Sequence, residues 1–291
     1  MPIAQVPMLP AADDPRFCEG ARSLPVRGVR AGLAFATRDW VAEEVPVALE
    51  FNGIAHAVML ATPLDLEDFA LGFALSEGIL DHAGELHGVD EEPSALGITL
   101  RLQVASAAFA RLKARRRSMT GRTGCGLCGT ESLAQVARAL PVLPDTARWS
   151  RQAIGRAMAQ FGSLQTLQQA TGAVHAAAWC SAQGEVRWLR EDVGRHNALD
   201  KLIGALVRND VDAAAGFIAV TSRASFEMVQ KSAMAGVSLL AAVSAPTSFA
   251  VMTAQLCGMT LVGFARGQDL VVYCHAERLA FNSAIEACHA H

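Results

Sequence analysis

Apolar and polar residues alternate from Glu44 to Phe51, the period of a strand with one buried face. Asn52-Gly53 supplies the pair favoured in a tight hairpin turn, and Ile54–Leu60 forms the returning strand. From Leu64 to Glu77 the apolar spacing becomes helical, opened by Thr62-Pro63 and closed near Gly78. Ile98–Val104 alternates again, a helix is expected over about Glu131–Leu140, and Pro141 and Pro144 bracket a linker. Beyond this point helices and apolar strands take turns. They are helix 151–169, strands His175–Cys180 and Val186–Leu189, helix Asn197–Val207 and strand Phe217–Thr221. Helix Phe226–Ala235, strand Leu239–Val243, helix Ser248–Cys257 and strand Thr260–Phe264 follow. The order predicts an α/β chain, α+β overall, with an N-terminal arm over 1–40 that is rich in Pro, Ala and Arg. A smaller α+β domain over 41–145 precedes a layered α/β domain over 146–291 with a largely parallel or mixed sheet.

One stretch needs separate treatment. Ser232–Ala265 holds no charged residue, yet Pro246, Gly236, Gly258 and Gln255 cut it into pieces too short to span a bilayer. Buried strands flanking a helix explain it, so no membrane partner is expected. The 52% hydrophobic and 18% charged composition excludes extensive disorder. A net charge of −3 argues against a general nucleic-acid binder. No basic residue precedes Arg16, and Pro2, Pro7 and Pro10 interrupt the first apolar positions, which does not fit a secretory leader. Seven cysteines with one close pair fit reduced thiols in a cytoplasmic protein better than a disulfide framework.

Charge distribution changes the picture more than the total. Between Pro93 and Thr130 there is no Asp or Glu, but Arg101, Arg111, Lys113, Arg115, Arg116, Arg117 and Arg122 are present. This basic run leads into Gly124-Cys125-Gly126-Leu127-Cys128-Gly129. Glycines beside each thiol leave the sulfurs accessible. If Thr130 caps the following helix, the helix N-terminus and the nearby cations both favour thiolate. The chemical conclusion is a reactive thiol. The string also matches G-x-G-x-x-G with Asp145 downstream, but the preceding Arg117–Thr123 is polar, not a buried strand. A zinc site built from Cys125, Cys128 and the H-x-E at His275-Ala276-Glu277 is a further reading, although the motif order is the reverse of that in zinc deaminases. A structural thiol pair is the plainest alternative.

Two strand ends carry polar turns into helices, Thr221–Ser225 and Ser244–Ser248, and Phe264–Arg266 ends a third strand. Such turns present backbone N–H groups and hydroxyls to a phosphate. In Glu191–Asn197, which precedes a helix, His196 and Asp200 share a helix face, and a capping and packing network is the preferred reading. His175 lies in an apolar strand and reads as structural. Cys18, Cys180, Cys257, Cys274 and Cys288 read as small hydrophobes or incidental surface thiols.

The strings Gly121–Leu133 (GRTGCGLCGTESL), Arg190–Gly204 (REDVGRHNALDKLIG) and Thr221–Lys231 (TSRASFEMVQK) closely resemble the formate dehydrogenase accessory sulfurtransferase family, FdhD. Ala242–Thr247 (AVSAPT) and Thr260–Arg266 (TLVGFAR) extend the resemblance, which covers roughly 40–280. It implies a sulfurtransferase with a cysteine persulfide intermediate. A cysteine desulfurase would load Cys125, with Cys128 as its partner thiol. The sulfur would pass to the bis-molybdopterin guanine dinucleotide form of the molybdenum cofactor before its insertion into formate dehydrogenase. The resemblance further implies a second domain like the cytidine deaminase fold without its zinc, a homodimer, and a cofactor-contacting segment at Phe264, Ala265, Arg266, Gly267, Gln268 and Asp269. With the three polar strand ends, it points to a guanine-nucleotide pocket that also uses Arg223, Ser225, Ser244 and Thr247. A non-enzymatic chaperone for the same cofactor is the alternative from another class.

Overall fold

The computed structural model describes residues 18–119, 140–145 and 147–280, with only the backbone of 115–119. Within the stretch read as an arm, β1 (Ala21–Arg30) and β2 (Leu33–Ala42) pair as an antiparallel hairpin. Most of the hairpin is exposed on both faces, so its sequence carries no burial period. Only its base packs, with Ala21, Trp40 and Ala42 against Leu167, Val174 and Val193.

The first sheet runs β4-β3-β6-β5, with β3 (Val45–Phe51), β4 (Ile54–Ala61), β5 (Leu86–Ser94) and β6 (Gly97–Val104). The central pair β3 and β6 is parallel, and each is flanked by an antiparallel neighbour. Val47, Leu49 and Phe51 alternate inward with Leu100, Leu102 and Val104. They pack on Phe69, Ala70, Phe73 and Ala74 of α1 (Leu66–Ser76). Strand β5 was not anticipated from its Asp90, Glu91, Glu92 and Pro93. It is an edge strand, where a proline's missing N–H is tolerated and acids face water. The basic run also holds an unanticipated element, α2 (Ser106–Met119), which buries Ala108 and Leu112 one turn apart.

The second sheet has the order β13-β12-β11-β10-β8-β9. Its strands are β8 (His175–Ser181), β9 (Val186–Asp192), β10 (Gly216–Val220), β11 (Leu239–Ala242), β12 (Thr260–Arg266) and β13 (Asp269–Cys274). Only β10, β11 and β12 run parallel, so the sheet is mixed. The short β7 (Trp149–Ser150) and β14 (Leu279–Ala280) pair beside it. Helices α5 (Arg195–Arg208), α6 (Phe226–Met234) and α7 (Ser248–Cys257) cover one face through Ile218, Val220, Leu240, Ala242 and Leu261. The alternate residues Phe217, Ala219, Leu239, Ala241 and Val262 face α3 (Arg151–Leu164). The helix expected over 151–169 is two helices, because the backbone leaves helical angles at Gln165 before α4 (Thr166–Thr171). Among the described residues no helix is long and apolar enough to cross a membrane. Much of the uncharged run is the buried pair β11 and β12 with α7 between them.

The two sheets are joined by α1 against α5. A Cβ on Gly72 would collide with the backbone of Asp200, and one on Gly204 with the backbone of Asp68, so the helices cross glycine to backbone. Buried polar groups fasten the crossing. Asp68 accepts from Arg190 Nη2 at 2.7 Å and Arg208 Nη1 at 2.8 Å. Asp192 accepts from the N–H groups of Thr62 and Gly194, and Lys201 Nζ lies 2.7 Å from it. Asp200 accepts from Ser76 Oγ at 2.6 Å and Lys231 Nζ at 3.0 Å. Burial pushes the Asp200 carboxyl up from its ordinary value, against the pull of Lys231 and Ser76. Much of the string Arg190–Gly204 is therefore a clamp between the layers of the two sheets.

Candidate functional site

The parallel strands deliver their polar ends to one edge of the second sheet. The turn after β10 and the turn after β11 are zipped together. Val243 N–H donates to Val220 O, Thr247 N–H donates to Ala224 O at 3.0 Å, and Ala224 bridges Pro246. The end of β12 joins them, with Phe264 N–H donating to Ser244 O at 3.3 Å and Arg266 Nε to Val243 O at 3.3 Å. Thr247 caps α7 by accepting from Ala250 N–H, and Ser225 caps α6 without a side-chain hydrogen bond. The N-termini of two helices thus open on the same edge, each with partial positive charge. Phe226 and Phe249, in their first turns, stack with ring centroids 4.6 Å apart.

Arg223, Ser225, Ser244, Thr247, Phe264 and Arg266 are brought to this edge. Phe264, 44% exposed, has φ +51°, an uncommon backbone state for a bulky residue, at a register irregularity between β12 and β13. Two of the expected residues point elsewhere. Ala265 is buried in the core on the α3 face, and Gln268 lies over Gly155 of α3. Gly267, with φ +58°, lies in the β12–β13 turn, and Asp269 opens β13.

The same edge gathers residues that the sequence did not connect. His175 opens β8, beside the end of β10, and Thr221 Oγ1 accepts from Ala176 N–H. Burial pushes the His175 imidazole below its ordinary value, helped by Arg195 and His196 nearby and opposed by Asp192. His196 and Asp200 do not act as a pair. Asp200 turns into the clamp, while His196 Nε2 lies 3.7 Å from Glu227 Oε2 in the first turn of α6. The adjacent His196 imidazole is the main cause that holds Glu227 down at about 2, with a smaller contribution from Ser225 and against partial burial. Glu227 was missed because its partner is far away in sequence. The one local signal was an acid in the first turn of a helix, which also serves the helix dipole.

Cys125, Cys128 and Arg122 lie outside the described residues, as does all but Leu140 of the helix expected over Glu131–Leu140. Four of the other thiols are described. Cys180, Cys257 and Cys274 are buried, and burial pushes all three up, Cys180 to about 12. Cys18 is half-buried and also raised, first by burial and then by Glu191. These surroundings oppose thiolate formation. His275 Nδ1 lies 3.2 Å from Glu277, and no group of three or more His, Cys, Asp or Glu side chains able to hold a metal occurs among the described residues.

Comparison with known proteins gives a consistent result. The model of the FdhD/NarQ family matches residues 42–280. The sulfur carrier protein FdhD of Variovorax paradoxus is 67% identical over 279 residues, which span 96% of this chain and 98% of that protein. The protein of the same name from Bordetella petrii is 53% identical, over 90% of this chain and 94% of its own length. The crystal structure of a candidate formate dehydrogenase accessory protein from Desulfotalea psychrophila superposes with a TM-score of 0.69 at 22% identity, covering 89% of this chain and 99% of that one. Sequence strings, near full-length similarity and fold agree, and the chain belongs to the FdhD/NarQ family.

Proposed function

We propose that the protein is a sulfur carrier in formate dehydrogenase maturation that holds sulfur as a persulfide on Cys125. The observation that carries this reading is the 67% identity, over almost the whole chain, to a relative named as a sulfur carrier protein. The thiols agree with it, because Cys180, Cys257 and Cys274 are buried and raised, whereas Cys125 stands between glycines after a basic run. In the loading step the Cys125 thiolate attacks the outer sulfur of a cysteine desulfurase persulfide. The desulfurase S–S bond breaks, a new one forms on Cys125, and the desulfurase leaves as thiolate. The loaded sulfur then passes to the bis-molybdopterin guanine dinucleotide cofactor, the cargo of the reaction. The guanine nucleotide part of the cofactor binds at the strand-end edge through Arg223, Ser225, Ser244, Thr247, Phe264 and Arg266. Helix N-termini and charge-assisted donors suit its phosphates.

Incubation with a cysteine desulfurase and cysteine, followed by peptide mapping, tests the carrier. Added sulfur is expected within Gly124–Glu131 and is lost in Cys125→Ala. Loading confined to Cys257 or Cys274 would refute the assignment. Full dehydrogenase maturation by Cys125→Ser would instead favour a cofactor chaperone. For the pocket, calorimetry should find GDP bound in preference to ADP.

A further inference from the structure

The β1–β2 hairpin leaves one apolar face uncovered, and all but its last residue precedes the residues matched by the family model. Ala31-Gly32 closes it with positive φ at both positions, the turn whose twist suits a two-stranded ribbon. The register sorts the side chains into two faces. The pairs Ala21–Ala42 and Ser23–Trp40 belong to one face, whose base packs on Leu167 and Val174. Leu24, Val26, Leu33, Phe35 and Val41 line the other. Phe35 lies over Gly28, where a Cβ would strike its ring, and the Arg30 guanidinium sits 5.5 Å from the ring centroid. From Val41 to Leu33 this stripe runs about 27 Å at about 3.4 Å per residue. Leu33 is 75% exposed, Val41 42% and Phe35 37%. A two-stranded ribbon is marginally stable in water, and a contiguous uncovered apolar stripe marks a contact surface.

The charges select the occupant. On the apolar face Arg30 stands at the tip and Asp39 towards the base, while Arg22 at the base is paired with Glu43 at 2.6 Å. Apart from that pair, the face is neutral in sum, with its cation at one end and its acid near the other. Such a face complements itself when two copies lie antiparallel, because each tip then covers the other base. A wholly acidic or wholly basic partner would set like charge against Asp39 or Arg30. The packed face carries Arg27 and Arg38 and no acid, so two copies meeting there would oppose cation to cation. We propose that two copies of this chain associate by stacking their ribbons through the apolar face, antiparallel, about a two-fold axis at the middle cross-strand pair, Val26–Thr37. Arg30 of each copy then lies one cross-strand pair from Asp39 of the other. A stripe of roughly 300 Å² per copy is small for a specific interface, so the contact dissociates on the order of micromolar.

Sedimentation of the full chain over about 1–100 μM tests the association, and a monomer–dimer exchange is expected in that range. Phe35→Glu places a charge inside the stack and should raise the dissociation constant by at least about tenfold. Arg30→Glu and Asp39→Arg should each weaken the dimer, more so at low salt, and the double variant Arg30→Glu/Asp39→Arg should restore it. Val26→Cys, at the two-fold, should form a disulfide between the substituted positions of two copies on mild oxidation, mapped by mass spectrometry. Ala36→Cys, on the packed face, should not. A wild-type chain that stays monomeric throughout the range would overturn the proposal and give the face to a different protein, and that measurement needs no variant to fold. A dimer indifferent to Phe35→Glu, with no disulfide at position 26, would place its interface elsewhere and also overturn it. Failure of the double variant to recover would refute the antiparallel arrangement.

Discussion

The crossing of α1 and α5 sets two opposed effects against each other at Gly204. Inside a helix, alanine is favoured over glycine by about 1 kcal/mol, so Gly204→Ala taken alone should stabilise the protein. The new Cβ, however, would meet the carbonyl oxygen, carbonyl carbon and Cα of Asp68. These are backbone atoms, so no rotamer change relieves the clash and α1 must back away. Overpacking of this kind costs about 1–3 kcal/mol. Asp68 moves with α1 and stretches its bonds to Arg190 and Arg208, where an intact charge-assisted bond contributes about 1.5–3 kcal/mol. Arg208 is 45% exposed, which discounts its share. The net expectation is a loss of about 2–4 kcal/mol, or a fall of roughly 5–15 °C in Tm for a chain of this size. Urea unfolding followed by tryptophan fluorescence measures it. Gly162→Ala supplies the control, because that glycine lies in α3 with nothing within 4 Å and should gain from helix propensity alone. If the two substitutions shift the midpoint in the same direction by similar amounts, the close crossing is not what holds the two sheet layers together.

The remaining predictions address the clamp and the thiol loop. Lys201→Met strands the fully buried Asp192 carboxylate and should cost about 3–5 kcal/mol in urea unfolding, with Asp192→Asn in the same chain restoring part; a loss under about 1 kcal/mol would contradict the clamp. Arg111 holds the Glu85 carboxyl below its ordinary value, so this contact stabilises above the unfolded value of about 4.3 and is lost as pH falls through the lowered folded value. Arg111→Gln should therefore flatten the acid limb of a Tm-against-pH series, and parallel profiles would refute the coupling. Alkylation of Cys125, read by mass spectrometry, should have a midpoint below the ordinary value of about 8.5, and replacing Arg115, Arg116 and Arg117 together by Gln should raise it. An unchanged midpoint would leave the basic run as a docking surface.

Legibility in the sequence followed burial. The core strands β10, β11 and β12 are buried on both faces, so each appears as a short apolar run, and their order with α6 and α7 was readable. The hairpin β1–β2 was not, because a ribbon exposed on both sides leaves no period in its residues. Strand β5 carries acids and a proline that only an edge accepts, and the arginines of α2 hid a helix whose described buried residues are Ala108 and Leu112. At the site, the turns at Thr221–Ser225 and Ser244–Thr247 announced themselves by residue type. The pairing of His196 with Glu227, and the diversion of Asp200 to Ser76 and Lys231, depend on which helices meet. Helical spacing puts His196 and Asp200 on one face without saying that the face ends at a different neighbour.

That division along α5 relates the site to the rest of the molecule. The helix is read in three registers at once. Leu199, Leu202, Ile203 and Leu206 enter the core against the second sheet. Asn197, Asp200, Lys201, Gly204 and Arg208 meet the layer of the first sheet, through Leu60, Ser76, Thr62, the Asp68 backbone and the Asp68 carboxylate respectively. His196, ahead of both sets, faces Glu227 at the strand-end edge. A single rigid element therefore ties the strand-end edge to the layer of the first sheet, from which the chain runs through α2 towards Cys125. In a carrier whose cargo and thiol must be brought into register, a helix fixed by a glycine crossing and buried ion pairs holds one end of that register steady. Rigid support is what a positioned contact requires, because small displacements at a site are expensive. The costs predicted for Gly204→Ala and Lys201→Met should therefore appear in nucleotide affinity as well as in unfolding, even though neither residue touches the site.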